Sequence, residues 1–207
     1  MQFRVILSLF AGLACALALH VSPIHAANLS AEFKPDPKGD TVINDMAQAF
    51  KRGDKKRLSA LLSQVRGHAL EPWAAYWELR ARLDEASANE VHQFFQRFAG
   101  TYQEDRLRND WLLLLGSRRD WSGFSEDLPA YRMRDDRELR CYAITLEMLE
   151  KGPSIALADE VRRHWMAMRE ADDGCTLAAD RLFDTKFFTA LDIWRKARLM
   201  TEHNRPR

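Results

Sequence analysis

Apolar side chains recur every three or four positions from Asp40 almost to the last residue, and no stretch sustains a two-residue alternation. That period places an apolar stripe on each of a series of helices and leaves no candidate strand, so the chain reads as all-α. Val42, Ile43, Met46, Ala49 and Phe50 form the first stripe, stopped by Gly53. Asp54 caps a second helix carrying Leu58, Leu61, Leu62 and Val65, ending at Gly67. Pro72 suits the first turn of a third, with Trp73, Tyr76, Trp77 and Leu83 on one side. Ser87 or Asn89 opens a fourth, buried through Val91, Phe94, Phe95 and Phe98 and closed by Gly100. A fifth bears Leu107, Trp111, Leu112, Leu114 and Leu115 and stops at Gly116, and Asp120 caps a short sixth with Trp121, Phe124 and Leu128. Asp135 or Asp136 starts a seventh, through Leu139, Tyr142, Ala143, Leu146 and Leu149 to Gly152-Pro153. Ser154 caps an eighth holding Ile155, Leu157, Ala158, Val161, Trp165 and Met168. Asp172-Asp173-Gly174 turns the chain, and Cys175 to Phe183 and Phe187 to Met200 are the last two.

Ten short helices joined by brief turns describe stacked hairpins. The expected fold over residues 40–207 is an irregular α-superhelix, because ten short amphipathic pieces rarely share the single core of a bundle. No tetratricopeptide consensus aligns to any pair of helices, so the repeat is not regular.

The N-terminus reads as an address. Met1-Gln-Phe-Arg4 is a short basic start, and Val5 to Leu19 is an uncharged apolar run too short to span a bilayer comfortably. Ile24-His25-Ala26 then fits a signal-peptide cleavage site after Ala26, which predicts export, with residues 27–39, holding Pro35, Pro37 and Gly39, as a flexible leader. In an oxidising compartment Cys141 and Cys175 are free to pair, and a bridge between them is expected, the alternative being two buried thiols.

Chemistry is sparse. Thirty-one Lys and Arg stand against thirty Asp and Glu, interspersed throughout, so no basic field recommends nucleic acid as a partner. His68, His92, His164 and His203 lie on different segments, none in a His-Glu-x-x-His or Cys-x-x-Cys frame, and no metal site is expected. There is no Gly-rich phosphate loop, dinucleotide fingerprint or Gly-x-Ser-x-Gly elbow, so no cofactor is expected either. The acid pairs Glu104-Asp105, Asp135-Asp136 and Asp172-Asp173 sit where helices begin and read as caps rather than as a glycosidase pair. The six tryptophans at 73, 77, 111, 121, 165 and 194 fall on apolar stripes and are expected between helices, not as sugar platforms. Arg106, Arg108, Arg118 and Arg119, clustered around the fifth helix, are candidate contacts for an anionic glycan.

Several blocks resemble the N-terminal superhelical part of the soluble lytic transglycosylases, periplasmic enzymes that cleave peptidoglycan. They are Leu70-Glu71-Pro72-Trp73 through Tyr76-Trp77-Glu78-Leu79, Phe94-Phe95 with Phe98, and Asp105-Arg106-Leu107-Arg108-Asn109-Asp110-Trp111-Leu112. Leu115-Gly116-Ser117-Arg118-Arg119-Asp120-Trp121, Glu138-Leu139-Arg140-Cys141-Tyr142-Ala143, Cys175 with Leu182-Phe183, and Trp194 to Leu199 complete the series in order. The resemblance implies a place in a U-shaped or ring domain, peptidoglycan as partner, the Cys141–Cys175 bridge, and cleavage that needs no metal. It also implies a C-terminal goose-lysozyme-like catalytic domain with Glu-Ser and Gly-Leu-Met-Gln motifs; neither motif occurs here, so no catalytic residue is carried over. Two readings follow: the N-terminal arm of such an enzyme, or a stand-alone non-catalytic periplasmic module binding peptidoglycan or a protein.

Overall fold

The computed structural model describes residues 36–203, and the expected signal peptide with most of the leader lies outside them. Ten α-helices follow in order: α1 Pro37–Lys51, α2 Lys55–Leu62, α3 Glu71–Ala81, α4 Ala88–Arg97, α5 Tyr102–Arg118, α6 Trp121–Asp127, α7 Arg137–Lys151, α8 Ile155–Ala167, α9 Asp173–Asp184 and α10 Ala190–Glu202. No strand occurs among the described residues. The odd-numbered helices α1, α3, α5, α7 and α9 form a row, each packed on the next, with the even-numbered ones beside them.

Three apolar clusters follow one another along that row, not one central core. The first joins α1 to α3 through Ile43, Met46, Leu58 and Ala74. The second runs from α3 to α7 through Tyr76, Phe95, Leu112, Phe124 and Tyr142. The third holds α7, α8 and α9 through Ile144, Val161, Ala178 and Leu182. Helices that bury their stripes only against near neighbours make the all-α, solenoid-like array that the periodicity predicts.

Helix starts follow local chemistry. Asp54, Asp120, Asp136, Ser154 and Asp172 each accept a backbone N–H three residues on, and Ser87 with Glu90 closes a reciprocal capping box. The Cys141–Cys175 bridge is present, with both residues buried and 4.8 Å between their Cα atoms, tying α7 to α9.

Five expectations need correction. Pro37 to Gly39, assigned to the leader, open α1, because Asp36 caps the Gly39 N–H at 2.9 Å and proline is tolerated in a first turn. Gly116 does not stop α5 but lies inside it, and the helix ends at Arg119 in the left-handed region, φ 61°. Asp173 and Gly174 belong to the first turn of α9, and α10 begins at Ala190 rather than Phe187. Trp111 and Trp165 are buried and Trp73, Trp77 and Trp121 half-buried, whereas Trp194 faces solvent.

Candidate functional site

α5 is the scaffold of the site. Ten of its residues are buried, among them Glu104, Asp105, Arg108, Asn109 and Asp110, so this helix is polar on a face the fold encloses. Buried charge persists only where it is paired. Asp105 accepts the backbone N–H groups of Arg132 and Met133 at 2.9 and 2.8 Å, and Glu104 meets Arg132 at 2.8 Å. Asn109 takes the Tyr131 hydroxyl at 2.7 Å and donates to Asp136 at 3.2 Å. These bonds hold the connection between α6 and α7 along one line.

That connection is one wall of a groove of about 640 Å3. Leu128, Pro129, Tyr131, Leu139 and Ala143 give it an apolar floor, and Arg134, Asp136, Arg140, Glu160 and His164 give it a polar rim. Arg134 is exposed, holds a left-handed backbone at φ 52° and has no ion pair among the described residues. Arg140 donates to Glu160 at 2.7 Å, the chief reason the Glu160 carboxyl is held below its ordinary range. Glu160 is therefore ionised near neutrality and has no proton to donate as a general acid. Burial lowers His164, 3.7 Å from Glu160, so its imidazole is neutral near pH 7. Burial also raises the Tyr131 phenol, keeping it a neutral donor. Apolar floor, fixed ion pair and one free guanidinium suit the binding of an amphipathic ligand that carries acceptor oxygens.

Neither a family model nor a curated protein matches this sequence. A solved structure does. An inactive mutant of the lytic transglycosylase Slt from Pseudomonas aeruginosa aligns over 79% of this chain with a TM-score of 0.55 and 25% identity. The chain is a distant relative of that transglycosylase. It spans only 26% of the Slt chain, about a quarter.

The four arginines chosen from sequence do not share a surface with the groove. Arg106 is half-buried beside Tyr76 and Tyr102, and Arg108 is buried over the Phe95 ring with Glu104 at 2.6 Å and Asp127 at 3.3 Å. Arg118 donates to the Asp84 carbonyl at 2.7 Å, and Arg119 pairs with Asp173 at 2.9 Å, both at the exposed far end of α5. Arg134 and Glu160 were not singled out, and Arg140 and His164 were named only in a resemblance block and among scattered histidines, although Glu160 and His164 lie four apart on one helix and so share a face. His68, His92 and His203 lie elsewhere, and the described residues contain no cluster that could hold a metal.

Proposed function

We propose that this chain is the N-terminal superhelical portion of a periplasmic lytic transglycosylase acting on peptidoglycan. The observation that carries this reading is the fold likeness to Slt across most of the chain. In it, the helical row is a scaffold that restrains glycan strands, and the cleavage of MurNAc-GlcNAc linkages to 1,6-anhydro products belongs to a catalytic domain outside these residues. The N-terminal address and the Cys141–Cys175 bridge support an exported, periplasmic protein. The groove supplies the contact: N-acetyl methyl groups suit its Leu128-Pro129-Leu139 floor, and stem-peptide carboxylates suit Arg134. Arg118 and Arg119, exposed at the other end of α5, are secondary candidates.

Retention on purified sacculi tests the reading. The chain is expected to sediment with sacculi and to release no muropeptides, and Arg134→Ala should weaken retention without lowering the thermal midpoint. Absence of retention by the unaltered chain would refute the glycan role, and release of anhydro-muropeptides would refute the placement of catalysis elsewhere.

A further inference from the structure

Four aromatic rings form a ladder across three helices. Phe50 of α1 lies 6.2 Å from Trp77 of α3, Trp77 lies 5.9 Å from Trp73, and Trp73 lies 5.7 Å from Tyr102 of α5, centroid to centroid. No ring of the four is fully enclosed: Phe50, Trp73 and Trp77 are half-buried, and Tyr102 is 54% exposed. Helices α3 and α5 each have a packed neighbour on either side in the row, so the opening over Trp73 and Tyr102 is internal to the array. Large rings held in place by one another yet open to solvent make a rigid surface that loses little freedom when a ligand covers it.

Tyr76 joins this ladder to a polar groove. Its ring meets Trp73 edge-on at 5.8 Å, and its hydroxyl donates to Asp110 at 2.8 Å. Beyond it, α3 and α5 run side by side in the same direction as far as the contact of Arg118 with the Asp84 carbonyl. A groove of about 350 Å3 follows that seam, lined by Arg80, Leu83, Asp110, Leu113 and Ser117 among others. The Asp110 side chain in its wall is only 6% exposed and pairs with Arg80 at 3.0 Å. Both the Tyr76 hydroxyl and Arg80 take Oδ2, whereas a carboxylate accepts at either oxygen. Arg106 stands beside the Tyr76 hydroxyl and Tyr102.

We infer that the Trp73–Tyr102 ladder and the Asp110 groove form a second carbohydrate site, one that takes the neutral pyranose backbone of a glycan strand. The inference rests on the reading of this chain as a glycan scaffold, and it assigns the sugar rings, not their peptide substituents, to this seam. A pyranose has an apolar C–H face and a rim of hydroxyl groups. The C–H face lies on Trp73 and Tyr102, a hydroxyl donates to Oδ1 of Asp110, and the Arg80 and Arg106 guanidinia donate to sugar oxygens. From Trp73 to Asp84 the seam is about 16 Å long, enough for a run of rings and not for one alone. Asp84 and Asp110 offset Arg80 and Arg106, which suits a neutral polyol better than a nucleic-acid backbone. The groove between α6 and α7 shares none of these lining residues.

Calorimetric titration of the full chain with chitotetraose, a neutral tetramer of N-acetylglucosamine without peptide, tests the site. Binding is expected, and Tyr102→Ala and Arg80→Gln should each raise the dissociation constant about fivefold or more, with far-ultraviolet circular dichroism unchanged. Either variant decides the matter if the other fails to fold. Tyr102→Phe keeps the ring and should stay within about twofold of the unaltered chain. No binding of the tetramer by a chain that sacculi still retain would overturn this site and leave the scaffold reading standing. Binding indifferent to both Tyr102→Ala and Arg80→Gln would overturn it as well. So would displacement of the tetramer by a thymidine oligonucleotide, the mark of a general stacking surface.

Discussion

Gly116 lies flat against the ring of Tyr142, so that a Cβ built on it would stand 2.5 Å from the ring carbon Cδ2. The ring is fully buried and met edge-on by Trp121 and Phe124, which leaves it nowhere to retreat. Alanine improves helix propensity over glycine by about 1 kcal/mol, whereas overpacking a fixed ring costs about 1 to 3 kcal/mol. The clash wins, and Gly116→Ala is expected to lower the thermal midpoint by several degrees. An equal or higher midpoint would show that the α5–α7 contact yields.

The bridge between Cys141 and Cys175 closes a loop of 34 residues. Chain-entropy arguments give such a loop about 3 to 4 kcal/mol of stability. Denaturant titration with and without a reductant should show that loss as a lower midpoint at nearly equal slope. Coincident curves would mean the α7–α9 packing holds without the covalent tie.

Arg108 and Arg118 stand on one helix with opposite expectations. Truncating Arg108 removes the buried cation that Glu104 and Asp127 share, leaving Glu104 the exposed Arg132 and Asp127 its contacts with the Trp111 indole and His92, at a cost of about 3 kcal/mol. Arg118 gives up one exposed bond to the Asp84 carbonyl, and Arg118→Ala should change stability by less than about 0.5 kcal/mol. Comparable unfolding midpoints for the two alanine variants would contradict the assignment of Arg108 to the interior.

Asp173 is held below the usual carboxylate range, chiefly by the hydrogen bond from Arg119 and further by the Tyr142 hydroxyl. A folded-state pKa below the unfolded value means that this stabilisation is complete above about pH 4 and disappears as pH falls through the unfolded and then the folded value. Since the pair is half exposed, solvent screening holds its contribution to about 0.5 to 1 kcal/mol. Asp173→Asn should therefore be less stable than the unaltered chain at pH 7 and indistinguishable from it at about pH 2. A gap that persists unchanged into acid would assign the loss to packing.

The ten helices and most of their starts were legible in the residues, because the signals are local. A cap such as Ser87, Asp136 or Ser154 bonds a backbone N–H three positions away, and an apolar period reports one face of one helix. Gly116 misled because a helix-stopping glycine and one flattened by a neighbouring ring look alike until Tyr142, on another helix, is placed. The groove was hidden for the same reason: its rim draws Arg134 from a connection, Arg140 from α7 and His164 from α8.

Sequence periodicity thus settled the class of fold and the order of its parts, since helix formation is governed by neighbours within a turn or two. Packing across longer separations decided which polar groups went inside. Arg108 is enclosed only because Asp127 arrives from α6, and Lys196 only because three carbonyl oxygens converge on it from the end of α8 and the residues after it. With Asp192 and Lys196, charged groups already satisfied, and Met200 taking the inward positions of α10, Trp194 was left facing outward, although by its spacing alone it had read as core.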